Sequence, residues 1–599
     1  MGDLNVEQMQ GGLAESGAIG NEVLNTHAKP WLDFVKERLA SAGIPNGVQD
    51  DAVRDFIKQE VQGALIAISS LRYQHNILHP VGRLPPELLS RIFHEVSLDG
   101  IPNRHYRSTS WLAVTYVCRI WRSTALDSAS LWTEIPICLG RLWSQAFVLR
   151  SKSAPLSVST SSAGLGYSGF ELTKTSWLYD LVKESFSRLA TVKIHGTSGV
   201  RTFLDLLESS TPRQLRSLSL KAPSAWRESN PICLVEADQL QSVYFDRITL
   251  AWHALPWSGL RTVEVIESPT KVSTASDFPS LVASLQSATV LENLKLGLKS
   301  CSFDDSSIAT NPTVAQLSRL RVLSLTGYAA DCRALLAAVQ IPASASLHID
   351  MQEDDRSAAE LSMLSDLLRA HSGFVTSEPP IRLQTLALEV DSDVGKIQLR
   401  TWRSCEDNPD RWTTVRRPFV CVNLHSKKAI ASNMSNIFRD IDIASLRRLY
   451  ITFSPTVSEN ALWKKVTWHR LFASAKKVQV LDYTGHCAYQ LLRALSIPHT
   501  TTPTTTSPAA DSTSTTTPQA TSDGAPKRPR PPRSAMMFPA LQRVLLASCA
   551  CDASDHDLNK LPAFVKRRMR SAPFKTLEIS ACTIGEETVG ELGEIKGLK

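Results

Sequence analysis

A six-residue unit of the form Leu-x-x-Leu-x-Leu, with apolar substitutes, returns eleven times between Leu189 and Ile579. The copies are LATVKI (Leu189 to Ile194), LRSLSL (Leu215 to Leu220), LQSVYF (Leu240 to Phe245) and LRTVEV (Leu260 to Val265). LENLKL (Leu291 to Leu296), LRVLSL (Leu320 to Leu325), LQTLAL (Leu383 to Leu388) and LRRLYI (Leu446 to Ile451) follow. VQVLDY (Val478 to Tyr483), LQRVLL (Leu541 to Leu546) and FKTLEI (Phe574 to Ile579) complete the series. Successive starts lie 26, 25, 20, 31, 29, 63, 63, 32, 63 and 33 residues apart. SASLHI (Ser344 to Ile349) fits one of the 63-residue gaps as a degenerate unit, and FVCV (Phe419 to Val422) loosely fits a second.

In a strand, residues two apart share a face, so the fourth and sixth positions enter one interior together. The first leucine reaches that interior from the preceding bend. A lone strand of this kind cannot bury its apolar face, whereas stacked copies form one continuous core. The expected fold is therefore α/β: an irregular leucine-rich-repeat solenoid over residues 150–599, with parallel strands and convex helices. The apolar run from Val200 to Leu207 is one such helix.

The remaining 63-residue gap contains residues 499–534, a Thr-, Ser- and Pro-rich stretch whose composition predicts a disordered insertion. Its basic end, Lys527, Arg528, Arg530 and Arg533, has the character of a nuclear-import signal. Cys549 and Cys551 have no matching Cys or His pair nearby, so no metal site is expected among the eleven cysteines. A net charge of +7 over 599 residues does not argue for a nucleic-acid surface. With no run of apolar residues long enough to span a bilayer and no basic-then-apolar leader, the expected setting is cytoplasmic, nuclear or both. No phosphate-binding loop, HExxH helix or Gly-x-Ser-x-Gly elbow occurs, so neither catalysis nor a cofactor is expected. Lys566, Arg567, Arg568 and Arg570 read as the polar face of a helix. Trp252, Trp257, Trp402, Trp412, Trp463 and Trp468 are core candidates, any exposed one being a recognition anchor.

Ahead of the repeats the pattern is helical. Residues 1–30 read as a disordered tail. Residues 31–79 then carry Trp31, Phe34, Val35 and Leu39, followed by Val53, Phe56, Ile57, Val61, Leu65, Ile68 and Leu71, at three- and four-residue steps. Pro80 ends this run. LPPELLSRIF (Leu84 to Phe93) opens another helix, with Pro85 and Pro86 in its first turn. WLAVTYVCRIWRSTAL (Trp111 to Leu126) reads as one more, placing Trp111, Val114, Val117, Cys118 and Trp121 on a common face before Leu131 and Trp132. So small a helical segment has a marginal core, leaving two candidates to cover its apolar surface: a partner or the repeats.

These residues resemble an F-box. Leu84-Pro85-Pro86-Glu87-Leu88-Leu89, Ile92-Phe93, Val117-Cys118-Arg119-Ile120-Trp121-Arg122 and Ser130-Leu131-Trp132 follow its signature in order and spacing. The upstream SLRYQHNILHPVGRLPPE (Ser70 to Glu87) and the later RSKSAPLSVS (Arg150 to Ser159) are similar to the large F-box families of basidiomycete fungi. The resemblance places the F-box at residues 80–135. It implies docking into a groove of the Skp adaptor, which holds the cullin and RING subunits of a ubiquitin ligase, while the repeats take an unknown protein substrate. Carried over by position, Leu84, Pro85, Leu88, Leu89, Ile92 and Phe93 supply one contact surface and Val117, Cys118, Trp121 and Arg122 the other, with Trp121 and Trp132 mainly internal. The competing function is a non-catalytic repeat scaffold that does not engage a ligase.

Overall fold

The computed structural model describes residues 19–41, 51–98, 110–160, 172–210, 212–222, 234–248, 251–266, 277–298, 314–352, 382–391, 396–405, 418–425, 443–453, 465–485, 488–497, 536–549, 560–582, 584 and 586–599. The 499–534 insertion, its basic end, Trp412 and Trp463 lie outside them. The chain divides into two compact units, one comprising residues 1–101 and 109–128, the other residues 102–108 and 129–599.

The second unit is built on one sixteen-stranded sheet. Its strands are β1 (Glu134–Ile135), β2 (Leu156–Ser159), β3 (Leu189–His195), β4 (Ser217–Lys221), β5 (Ser242–Asp246), β6 (Thr262–Val265), β7 (Asn293–Gly297), β9 (Val322–Tyr328), β11 (Ser346–Gln352), β12 (Thr385–Asp391), β13 (Lys396–Trp402), β14 (Val420–His425), β15 (Arg448–Phe453), β16 (Val480–Thr484), β17 (Arg543–Ala547) and β18 (Thr576–Ser580). A separate parallel pair joins β8 (Ala315–Gln316) to β10 (Val339–Gln340). Every hexamer of the sequence forms a strand, and so do both degenerate units, as β11 and β14.

The leading leucine is positioned by a tight turn. Its amide donates to the carbonyl three residues back, as in Leu240 to Ala237, Leu260 to Trp257, Leu320 to Leu317 and Leu446 to Ile443. Adjacent units are then laced together. The carbonyl of the second residue accepts from the second and third amides of the next unit, as Arg216 does from Gln241 and Ser242. The first, fourth and sixth side chains are buried in ten of the eleven units. In the last, Phe574 is buried but Leu577 and Ile579 are half-buried, because β18 is the terminal strand of the sheet.

The spatial order departs from the chain order at one place. The sheet runs β11-β14-β13-β12-β15, with β13 antiparallel to both neighbours. The expectation of an all-parallel sheet is corrected here. Asp391 and Lys396 end paired strands only five positions apart, too close for the crossover that a parallel pair requires. The chain must therefore turn back on itself.

Helices pack against the buried strand face. The Thr197–Ser209 helix, containing the predicted 200–207 stretch, lies on β3 and β4 and buries Val200 and Phe203. Trp252, Trp257, Trp402 and Trp468 are all core residues. The basic helix is a correction: Arg568 does not face solvent with its neighbours but is buried. Its guanidinium donates to the carbonyls of Leu495 at 3.0 Å and of Met537 and Phe538 at 2.6 Å.

In the first unit, α1 spans Ile19–Ser41 and α2 spans Asp51–Leu78. Residues 19–30, read as part of a disordered tail, are thus helical, and Pro30 lies inside α1. Few apolar residues mark that stretch, so its period is not visible in the sequence. Among the described residues no helix is long and apolar enough to cross a membrane.

Candidate adaptor-docking face

The junction between α2 and the next helix is closed by two residues. Arg83 donates to the last carbonyls of α2, from Nε to Ile77 and from Nη2 to Leu78, both at 3.3 Å. This is the favourable placing of a cation at a helix C-terminus. Gly82 passes so close to the carbonyl of Asn76 that a side-chain carbon there would collide with it.

The helix α3 (Pro86–Leu98) starts where the sequence places it, with Glu87 in its first turn. The Pro85 carbonyl accepts from the amides of Leu88 and Leu89, both at 3.1 Å. Two apolar arcs run along α3. One, Leu89 and Phe93, is only 1% and 0% exposed. The other, Leu88, Ile92 and Val96, stands open to solvent at 48%, 43% and 37%.

The stretch from Trp111 to Leu126 is not one helix, which corrects the sequence reading. A 3-10 helix covers Ser110–Tyr116, the backbone extends at Cys118 (φ −158°, ψ 174°), and α4 begins at Arg119 and runs to Asp127. The break changes the facing of side chains. Trp111 and Val114 are buried, whereas Val117, assigned to the same face, is exposed. Tyr116 beside it is exposed as well.

Contacts inside the unit fix the two halves. The Phe93 and Trp121 rings meet with centroids 5.1 Å apart. The hydroxyls of Ser90 and Ser128 lie 2.7 Å apart, and Arg122 Nη1 donates to the Thr115 carbonyl at 3.4 Å. Of the ten sequence candidates, Pro85, Leu88, Ile92, Val117 and Arg122 are therefore exposed, and Leu84, Cys118 and Trp121 are half-buried. Leu89 and Phe93 are core residues of this unit rather than surface. Val96 and Tyr116, which stand outside that set, are exposed as well. Val96 follows Leu88 and Ile92 at four-residue steps, a signal present in the sequence, whereas the facing of Tyr116 depends on the 3-10 geometry.

Trp132 lies in the second unit, in a short 3-10 helix (Ala129–Trp132), fully buried. Phe147 meets it edge-on at 4.8 Å, and the Arg150 guanidinium lies 4.4 Å from its ring centroid. No His, Cys, Asp and Glu grouping suited to a metal occurs among the described residues.

An exposed apolar arc thus runs along a proline-started helix that an aromatic contact ties to a second helix, and exposed arcs of this kind commonly mark interaction surfaces. Residues 81–137 match the F-box-like family model. The chain accordingly carries an F-box-like domain, followed by a largely parallel sheet. No curated protein matches the chain.

Proposed function

We propose that this chain is the substrate-recognition subunit of a cullin-RING (SCF-type) ubiquitin ligase, its F-box-like domain binding the Skp adaptor and its leucine-rich repeats binding a protein target. The observation that carries the reading is the open arc Leu88, Ile92 and Val96 within the F-box-like match. An arc of this kind gains from being covered: each large aliphatic side chain removed from water contributes roughly 1.5–3 kcal/mol. Tyr116 and Val117 extend the apolar surface from the segment leading into α4. The adaptor-facing set is then Leu84, Pro85, Leu88, Ile92, Val96, Tyr116, Val117, Cys118 and Arg122, with Leu89, Phe93 and Trp121 supporting it from within.

Target binding is assigned to the sheet face opposite the core. There the alternate strand positions carry Lys193, Tyr244, Glu264, Lys295, His348, Tyr450 and Asp482, a varied polar surface suited to protein recognition. The chain itself performs no chemistry in this role and needs no cofactor. Tethering raises the effective concentration of the target beside a charged conjugating enzyme. Such a subunit works in the cytoplasm, the nucleus or both.

The test is capture of the full chain by purified Skp adaptor. Capture by the parent, lost in a Leu88→Asp, Ile92→Asp double variant, is the expected result. Both positions are exposed, so the variant retains its fold. Failure of the parent to bind overturns the proposal and leaves a repeat scaffold without a ligase.

A further inference from the structure

The helix α2 carries a second exposed apolar stripe, distinct from that of α3. Ile57, Val61, Ala64, Ile68, Leu71, His75 and Leu78 are spaced alternately by four and three residues, the heptad repeat of a coiled coil. The five large aliphatics among them are 43–69% exposed, and Ala64 and His75 are exposed too. The other nearby helix does not close this seam. α1 meets α2 through the Arg38–Glu60 ion pair, on the flank that holds half-buried Val53, Phe56 and Glu60.

The residues of the seam state what kind of helix covers it. Val61 and Ile68 are β-branched and occupy the a positions, while Leu71 and Leu78 occupy d positions. That division favours two parallel strands over trimers or tetramers. The flanks agree. In a parallel, in-register pair, the g-to-e contacts are Val53 with Lys58, Glu60 with Leu65, Ala67 with Arg72 and Gln74 with His79. None sets like charges together, and Glu60 is already neutralised by Arg38 of its own chain. In the antiparallel register that sets residues 57–75 of the two chains against each other, Lys58 would face Arg72 twice, which is repulsive, and the Leu78 layer would be left out.

We propose that α2 is a dimerisation helix: two copies of this chain join through a parallel, in-register coiled coil over residues 57–78. The paired length is about 33 Å at 1.5 Å per residue, set immediately before the F-box-like domain. His75 would face its counterpart at an a position, where one polar residue fixes register at some cost in stability. The proposal stands independently of adaptor binding.

Light scattering on the full chain at tens of micromolar, without any adaptor, tests it. The expected mass is twice the 65.9 kDa of the chain, and a Val61→Glu, Ile68→Glu variant falls to the single-chain mass with unchanged helical circular dichroism. In a Leu71→Cys variant, mild oxidation should give a cross-linked dimer absent from the parent. A monomeric parent overturns the proposal, as does a dimer that survives the double substitution. Cross-linking only between Val61→Cys and Leu71→Cys chains would overturn the parallel arrangement.

Discussion

The two units use the same apolar residue types in opposite ways. In the sheet, Leu218, Leu220, Val243, Phe245, Val263 and Val265 repeat at period two and are all 0–1% exposed. In the first unit, Ile57, Val61, Ile68 and Leu71 on α2 and Leu88 and Ile92 on α3 repeat at helical period and are 43–58% exposed. The strands find partners in their neighbours, because each unit covers the next and the number of units is large. The helices are too few to cover one another. Period reports which way a side chain points; burial reports whether the chain itself supplies the cover.

The comparison breaks most visibly if a sheet position is emptied. Phe245 is fully buried on β5, between β4 and β6. Phe245→Ala should cost about 3–5 kcal/mol, since a cavity is added to the lost transfer energy. The urea midpoint of the full chain reads this directly; a change below about 1 kcal/mol would show that the stacked units repack around a void.

How legible such positions are depends on the residues around them. The hexamers were readable because alternation and a leading leucine coincide. A further signal lies three residues earlier, where Ala237, Trp257, Leu317 and Ile443 close the turn and are themselves buried. The strand β13 was not readable as a unit. It lacks the leading leucine, and Arg400, Thr401 and Trp402 are buried in succession, which erases the alternation. At the candidate site the start of α3 and its two arcs followed from proline placement and spacing. Which arc faces inward did not, because Leu88 and Leu89 are chemically alike and only the packing of α3 against α4 and the 3-10 helix before it separates them. The exposed Val117 was hidden by the 3-10 break, since a helical period assumes a continuous helix.

Arg568 sharpens the contrast from the other side, as a charged residue enclosed in the apolar unit. Burial pushes its guanidinium down to about 10, so the cation is held against a desolvation cost. Its three carbonyl acceptors offset that cost. They belong to Leu495, at the end of the 488–496 helix, and to Met537 and Phe538, which precede the LQRVLL unit. One side chain thus ties together the two described ends that flank residues 498–535. Hydrogen bonds from a charged donor contribute roughly 1.5–3 kcal/mol each, and leaving the carbonyls unpaired forfeits them. Against the relieved desolvation, Arg568→Met should lower stability by about 2 kcal/mol, measured by urea denaturation. A more stable variant would mean that burying the cation outweighs its bonds.

The smallest effect is expected where an apolar side chain is already in water. Ile92 lies beside fully buried Phe93 in sequence but on the outer arc of α3, 43% exposed. Truncation there removes little packing, so Ile92→Ala should stay within about 0.5 kcal/mol of the parent in stability. Affinity for the adaptor answers differently. If the arc is covered on binding, the lost methylene groups weaken capture by about tenfold, equivalent to about 1.4 kcal/mol. Calorimetric titration and urea denaturation of the same variant separate the two quantities. A large stability loss with unchanged affinity would place Ile92 in the core rather than on an open surface and erase the distinction between the two arcs. A tenfold weaker complex in an equally stable chain would show that the open side chains of the first unit do in a complex what the sheet's side chains do within one chain.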